Sequence, residues 1–554
     1  MFGRRTRYYN TGKYVGEFKG DYRDGYGVYY YKEGDRYEGY WWHDLRHGQG
    51  TYYYVSGGVY EGNYYKDKRS GYGVMNYSNG NVYEGEWSNG KRHGHGILRY
   101  ANGNVFEGEF TNDSINHQGE LRFTNGNVYR GSFTNGVINN YGSFTYSDGT
   151  TYTGFFENGK FNGIMKVEFL DATLDAYYVK GTLLYNIMKY NNGGRYEGTL
   201  KDFHMTGYGT YIYSNGNVMK GNFSDSYANG LFIYECDDGS RYYGEMEQDR
   251  FKGLGIYFDE DRSSIYYGEF DYDIYEGFGV LYEEGSRYIG DFEYGLKSGY
   301  GIETFKDFSY QGDYKDDCFN GYGIIKYSNG TVFFGEFKDG KMNGYGYMVN
   351  GDNVLLNGYF KDDKCIDTSN QMPKEVFYKI IDKNRLKYEY LTFENGAVYI
   401  GSRKDNLRHG YGMFVSKDKT TFIGEWKNNN LNSKAIIRNN DGKEYVGGFY
   451  RGEYQGMGMC IDYKGSRSKY IASIGKWENS ERNGLFVEYF HDGNMIKEYY
   501  ENGEKNKDII VSKDKDLLLQ HFKNGVEHGE TYFVSNESRR ASCGTYINGV
   551  LQEG

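Results

Sequence analysis

Three observations predict an all-β fold: an elongated single-layer antiparallel meander of about two dozen 23-residue β-hairpins, with one short helical interruption. The first is a period. Tyr14, Tyr37, Tyr60, Tyr83, Phe106, Tyr129 and Tyr152 stand 23 residues apart, and Gly16, Gly39, Gly62, Gly85, Gly108, Gly131 and Gly154 follow two residues on. Phe18, Trp41, Tyr64, Trp87, Phe110, Phe133 and Phe156 come two further on, and Tyr31, Tyr54, Tyr77, Tyr100, Phe123, Tyr146 and Phe169 make a fourth phase. A fixed beat of this length marks a repeat architecture. The second is alternation: Glu84 and Glu86 separate Tyr83, Gly85 and Trp87, which predicts a strand with its aromatic face in and its acidic face out. The third is turn chemistry. Ser88-Asn89-Gly90 and Asn102-Gly103 punctuate the strands, and Asn-Gly at the second favours the type I′ hairpin turn.

Within one unit, Tyr83 to Trp87 is the first strand and Gly94 to Tyr100 the second. The glycine between the aromatics leaves a slot over bare backbone that a neighbouring ring can cover. One hairpin buries too little apolar surface to offset the entropy of ordering it, so units must stack.

Gly 83, Tyr 67 and Pro 1 in 554 residues follow from this repeat, as does 19% aromatic content beside a low mean hydropathy. The net charge of −11 argues against nucleic acid and against anionic lipid as general partners. Cys236, Cys318, Cys365, Cys460 and Cys543 are odd in number, scattered and without metal or disulfide spacing, which predicts a reducing compartment. No apolar run follows Arg4, Arg5 and Arg7, none reaches membrane-spanning length, and neither Gly3 nor the ending Leu551-Gln552-Glu553-Gly554 fits a common lipidation signal. A soluble cytoplasmic protein is expected.

Along the chain, residues 1–13 form an N-terminal arm and 14–360 a first repeat block, with a degenerate unit at 170–195 read as a longer hairpin or bulge. Residues 361–392 hold the only proline, Pro373, ahead of Val376, Phe377, Ile380 and Ile381 at helical spacing. Ser369 or Asn370 is the expected cap of a short helix with Pro373 in its first turn. This insert reads as a joint between two rods or a plug on the aromatic face. A second block, 393–465, carries Tyr399, Phe422 and Tyr445 with Trp426 and Phe449 in their slots. Beyond Tyr463, residues 466–554 keep the rhythm loosely, at Trp477, Gly484, Gly503, Asn524-Gly525 and Tyr546, and form degenerate repeats and a cap. Asp508 to Gln520 reads either as a strand and a short helix or as an apolar cap.

Tyr-x-Gly-x-(Trp/Phe), then Gly-x-Gly, then Asn-Gly before the next Tyr, recurring in phase over nearly the whole chain, resembles the MORN repeat (membrane occupation and recognition nexus). Tyr489 to Gly503 resembles the variant in bacterial antitoxin-like proteins. The resemblance is closest to the cytoskeletal and axonemal all-repeat members such as radial-spoke-head proteins. It implies a non-catalytic scaffold without cofactor or metal, located in the cytoskeleton of a cilium or flagellum. The implied partners are other cytoskeletal or axonemal proteins; the aromatic groove suits an amphipathic helix or extended peptide, and the free sheet ends offer a second mode, strand addition or a homodimer through the C-terminal end. The family name implies the alternative, a peripheral tether binding phosphoinositides. Relatives that append a SET methyltransferase or lipid-kinase domain have no counterpart in the roughly 90 rhythmic residues after Tyr463.

The partner-binding candidates are Phe18, Trp41, Tyr64, Trp87, Phe110, Phe133 and Phe156; a single layer leaves whatever these rings do not cover as a groove. The structural glycines are Gly16, Gly39, Gly62, Gly85, Gly108, Gly131 and Gly154. Gly-Tyr-Gly at 25–27, 71–73 and 321–323 lacks the rest of a phosphate loop. His47 and His93, each in Arg-His-Gly as is His409, lie two units apart, about 19 Å at strand spacing, too far to share a metal. Glu84, Glu86 and their counterparts read as a solvated face in repeat after repeat. Arg4, Arg5, Arg7, Lys66, Lys68, Arg69, Lys91 and Arg92 form a basic turn edge, the place a phosphoinositide headgroup would sit. Arg539-Arg540-Ala541-Ser542 fits a basophilic kinase acceptor.

Overall fold

The computed structural model describes residues 3–382, 387–462, 470–490, 492–501, 503–512, 514–523 and 526–552. The expected boundary at 465/466, Tyr463, Asn524-Gly525 and the Glu553-Gly554 end lie outside the described residues. The strands form two antiparallel meander sheets, one up to Lys364–Asp367 and one from Glu389–Thr392; Lys374–Ile381 is the only helix among the described residues.

One hairpin shows how the repeat folds. Val82–Ser88 and Lys91–Arg99 are joined by Asn89 (φ 51°) and Gly90 (φ 84°), a two-residue turn with both residues left-handed. The type I′ turn therefore falls at Asn89-Gly90, not at Asn102-Gly103. There only Gly103 is left-handed (φ 89°), and the longer loop closes through Gly103 N–H to the Tyr100 carbonyl and Tyr100 N–H to the Asn104 carbonyl, both 2.9 Å. Pairing of Gly85 with Gly96 jumps to pairing of Trp87 with Arg92, a bulge that recurs in the neighbouring units. Gly94 (φ 64°) sits in that bulge, while Gly96 lies under the Tyr83 ring, so the two glycines of Gly-x-Gly are there for different reasons.

The chain divides into two compact units: Met1–Tyr185 with Val534–Ala541, and Asn186–Phe533 with Ser542–Gly554. The first is a single layer of hairpins. Its degenerate region stays in strands, Gly163–Glu168 turning tightly into Ala172–Val179, with Phe169 N–H on the Ala172 carbonyl (2.9 Å). The segment Val534–Ala541 is strapped onto it: Ile164 N–H donates to the Arg539 carbonyl (2.9 Å), Arg539 Nη2 to Asp175 (2.7 Å), and the Arg540 guanidinium lies 4.3 Å from the Phe155 ring.

The second unit corrects two expectations. It holds two layers: the strands from Arg195–Lys201 to Lys364–Asp367, and those that begin at Glu389–Thr392. Their facing surfaces are the ones read as solvated. Ile233, Tyr243, Ile256, Tyr267, Val280 and Ile289 of the first layer are fully buried, as are Ile400, Met413, Ile436, Val446, Met459 and Ile474 of the second. Tyr267 Oη donates to Glu444 Oε1 (2.9 Å) and Tyr489 Oη to the Gly209 carbonyl (3.2 Å) across the layers. The acidic residue after the first aromatic, Glu84 in the first unit, has become Tyr243, Tyr267, Ile289, Phe334, Ile400, Ile423 and Val446. A strand apolar on both faces needs cover on both faces.

The insert is what turns the chain over. Its helix starts at Lys374 with Pro373 in the N-cap position and no side-chain cap, so neither Ser369 nor Asn370 caps it. Phe377 packs on Phe334 (5.4 Å) and Tyr347 (5.6 Å), on the face opposite the aromatic one, which overturns the plug reading. Asp508 to Gln520 is two strands, Glu504–Val511 and Leu517–Lys523, paired from Val511 with Leu517; no helix forms there.

Candidate protein-binding surface

The site grows out of ring-on-glycine packing. The Tyr83 ring folds back over its own strand and the next, so that a Cβ at Gly96 would lie 2.5 Å from its Cε2, while Tyr83 Oη donates to the Glu86 carbonyl (2.8 Å). The same covering is made by Tyr37 on Gly39 and Gly50, Tyr60 on Gly62 and Gly73, and Phe106 on Gly108 and Gly119. The slot is thus filled by the unit's own first ring, and the ring two positions after the glycine bridges to the unit before. Trp87 meets Tyr60 and Tyr83 edge-on, both at 5.2 Å, and its Nε1–H donates to the Gly73 carbonyl (3.2 Å). Phe110 continues the zipper to Tyr83 (4.9 Å) and Phe106 (5.4 Å), a preferred geometry for aromatic pairs.

Phe18, Trp41, Tyr64, Trp87, Phe110, Phe133 and Phe156 are each at most 4% exposed. They are the floor of the face, satisfied by their own neighbours. Gly16, Gly131 and Gly154 belong to the same close-packed register, a Cβ at Gly131 falling 2.5 Å from the Gly142 Cα. What stands above the floor is the fourth phase: Tyr31, Tyr54, Tyr77, Tyr100 and Phe123 are half-buried and packed against the core cluster. Burial pushes the Tyr31, Tyr77 and Tyr100 hydroxyls above the ordinary tyrosine range.

A fifth phase carries charge, and composition alone hid it. Arg23, Arg46, Arg69 and Arg92 lie over the rings of the face, Arg23 4.2 Å from Trp41 and Arg69 4.0 Å from Trp87. Each reaches into the next unit's turn. Arg46 donates from its backbone N–H (2.9 Å) and Nε (3.1 Å) to Asp67 Oδ1, and from Nη2 to the Asp67 carbonyl (2.9 Å). Arg69 Nη2 reaches the Gly90 carbonyl (2.6 Å) and Arg92 bonds Asp113. Arg5 and Arg7 cap the first ring, Phe18, and bond the Gly20-Asp21 turn. So in Arg-His-Gly the arginine is the working residue; His47 rests between Trp42 (5.5 Å) and Tyr65 (5.2 Å). Further along, Ile115, Ile138 and Phe161 replace the arginines in phase.

On the other face of the first unit, Glu84 accepts from Tyr72 Oη (2.8 Å) and Glu86 from the His95 N–H (3.3 Å). Among the described residues no group of His, Cys, Asp and Glu is arranged to hold a metal, and no helix is long and apolar enough to cross a membrane. Ser542 is exposed, while Arg539 and Arg540 beside it are engaged with Asp175 and Phe155.

These features define an antiparallel hairpin-repeat protein whose units interlock through rings, glycines and arginines. The repeat is the MORN repeat: it is found across the chain, at residues 14–36, 37–59, 60–82, 83–105, 129–151, 196–218, 266–287, 288–309, 310–332, 333–353, 399–421 and 445–467. The MORN repeat is a non-catalytic unit of repeat scaffolds that bind protein or membrane. Among curated proteins, the inactive protein tyrosine kinase pTKL of Plasmodium berghei (strain Anka) is 30% identical over 193 residues, 34% of this chain. The match spans only 14% of that relative's length. Among solved structures, the SAS-4 (dCPAP) TCP domain of Drosophila melanogaster, in complex with a proline-rich motif of Ana2 (dSTIL), is 15% identical with a TM-score of 0.19, covering 28% of this chain and 90% of that one. The TCP10 domain of Danio rerio CPAP is 12% identical with a TM-score of 0.19, covering 39% and 93%. Likenesses this low carry nothing about function.

Proposed function

We propose that this chain is a non-catalytic scaffold that holds other proteins against the aromatic face of its first unit, in a cytoskeletal assembly such as a ciliary axoneme. The observation that carries the reading is the half-buried row Tyr31, Tyr54, Tyr77, Tyr100 and Phe123 above a floor that is already self-packed. Members of the row stand two strands apart, about 10 Å, a regular set of amphipathic contacts for a helix or extended peptide. The predicted rings beneath keep the surface rigid, so a partner meets Tyr54 and Tyr77 rather than Tyr64 and Trp87.

Phosphoinositide tethering ranks second. Arg69 and Arg92 of the basic edge are spent on rings and turn carbonyls of neighbouring units, and Arg5 and Arg7 on Phe18 and the Gly20-Asp21 turn. The test is proximity labelling in the source cell with the full chain and with a Tyr54→Ser, Tyr77→Ser, Tyr100→Ser variant. Cytoskeletal or axonemal proteins labelled by the first and lost with the second are expected. Labelling unchanged by the triple substitution overturns the surface assignment. Salt-sensitive flotation of the chain with phosphoinositide vesicles, absent from neutral ones, reverses the ranking.

A further inference from the structure

Among the described residues, the upper layer of the second unit stops short of the helix and leaves a cavity beside its first strand. That layer begins where Tyr388 enters between Phe278 (5.1 Å) and Tyr300 (6.4 Å) and donates its Oη to Asp291 (2.6 Å), with Lys387 Nζ on the same carboxylate (2.8 Å). The next residues, Glu389–Thr392, are the layer's first strand, and among the described residues they pair only with Val398–Lys404. Among the described residues no strand pairs with the opposite edge. Phe393 N–H donates to the Ala397 carbonyl, which puts Leu391 and Glu389 in hydrogen-bonded register with Tyr399 and Gly401 and turns the N–H and C=O of Tyr390 and Thr392 outward.

The floor beneath continues past this edge. Ile302, under the upper layer, is buried; Gln311 and Ile324, on the next two strands, are half-buried; Phe334, one strand further, is covered by Phe377 of the helix. The helix rests on the strands that carry Ile324 and Phe334, so among the described residues the strand that carries Gln311, about 5 Å of floor, lies between the end of the sheet and the helix. The space is a cavity of about 430 Å³ lined by Ile302, Gln311, Ile324, Lys326, Tyr390 and Leu391 among others. Tyr390, cross-strand from the fully buried Ile400, is 51% exposed beside it.

We propose that this slot takes one extended segment of a partner protein, which adds as a strand to the outer edge of Glu389–Thr392 over Gln311. The interface between the layers is already established from Ile256 to Ile302, and the slot is its continuation by one strand. Backbone bonds to Tyr390 and Thr392 hold the segment, and its downward side chains meet Ile302 and Ile324. The matching segment is aliphatic at alternate positions, without proline at the positions that bond to the edge. This site is separate from the aromatic face of the first unit and does not depend on that reading.

The probe is a phage-displayed library of random nonapeptides selected on the full chain, with binding of the selected synthetic peptides measured by fluorescence anisotropy. Peptides with alternating aliphatic residues are expected. Their affinity should fall at least tenfold on Tyr390→Pro, which removes an outward N–H and none used inside the sheet, and on Ile324→Glu. Tyr390→Ala, which keeps the N–H, should cost less than Tyr390→Pro. N-methylation of the peptide at alternate residues should abolish binding in one register only. Circular dichroism and urea midpoints of the variants establish that they fold. Selected peptides that bind Tyr390→Pro and Ile324→Glu as well as the parent overturn the proposal, as does a library that yields no binder. A concentration-dependent dimer of the parent that Tyr390→Pro dissociates assigns the slot to a second copy and overturns the partner assignment.

Discussion

Arg23 and Asp44, 21 residues apart, are joined three times: Arg23 N–H (2.9 Å) and Nε (3.0 Å) donate to Asp44 Oδ1, and Nη2 donates to the Asp44 carbonyl (2.8 Å). The same guanidinium lies over Trp41, so one side chain ties the ring ladder of one unit to the turn of the next. Local turn, cross-strand packing and inter-unit coupling meet in this pair.

Because the staple repeats, removing one acceptor should loosen one junction. Asp67→Ala is expected to cost about 1–2 kcal/mol, read as faster amide exchange in 45–76, with distant hairpins unchanged. Asp67→Asn should recover most of the loss. The chain already uses that arrangement at Arg408, whose backbone N–H donates to Asn429 Oδ1 (2.9 Å) and whose Nη2 donates to the Asn429 carbonyl (2.8 Å).

Truncating a floor ring removes a large buried side chain and leaves a cavity between two units. Trp87→Ala or Phe110→Ala should cost about 3–5 kcal/mol and fray the flanking hairpins first. Limited proteolysis checks this, with new cleavage expected in the adjoining turns.

The paired glycines separate two mechanisms. Gly96→Ala puts a Cβ into the Tyr83 ring and should cost about 1–3 kcal/mol of overpacking. Gly94→Asn should cost about 1 kcal/mol: asparagine adopts the left-handed conformation, and its Cβ, 2.5 Å from the Glu86 carboxylate, needs only that flexible side chain to swing off the His95 N–H. His117 (φ 64°) and Asn140 (φ 65°) already meet it at the same place in later units. Urea midpoints of the two variants should rank accordingly.

The two-layered unit should respond to alkaline pH in two opposite ways. Lys497 is fully buried, near the Tyr208 carbonyl (3.3 Å), and burial lowers its ammonium pKa to about 8. The folded state therefore binds that proton less tightly than the unfolded chain, and this group's contribution to stability rises as pH goes from about 8 to its ordinary value of about 10.4. Lys497→Met should raise stability at neutral pH by on the order of 3 kcal/mol and flatten that rise. The buried tyrosines act in the other direction. Burial raises the pKa of Tyr242, Tyr266 and Tyr288, so their contribution is intact below the unfolded value of about 10 and lost as pH climbs above it. Denaturant titrations from pH 7 to 11, with and without Lys497→Met, separate the two.

Thiol chemistry offers a further check on burial. Cys460 is pushed up to about 11 by desolvation, whereas Cys543 is exposed. A maleimide should label Cys543 in the native chain well before the half-buried Cys460, as peptide mapping would show.

Much of the fold was legible in the order of residues. The period, the strand alternation, the turn at Asn89-Gly90 and the covering of Gly85 all arise from neighbours within one unit, where sequence distance and spatial distance run together. The arginine staple was legible too: Arg23, Arg46, Arg69 and Arg92 keep the beat, but four positions among many charged ones are inconspicuous beside the aromatics. Tyr243, Tyr267, Ile289 and Val446 likewise signalled a covered second face. An aromatic-rich strand, however, reads as half-buried whichever side is counted.

What the linear chain determined by itself was the unit and its self-packing, since ring, glycine and turn act across a few residues and one strand spacing. Which side of the sheet finds a cover was settled only in three dimensions. The bond between Tyr267 and Glu444 joins residues 177 apart and exists only after the insert around Lys374–Ile381 has turned the chain over. A period-two pattern specifies two faces; the path of the backbone chooses what each one meets.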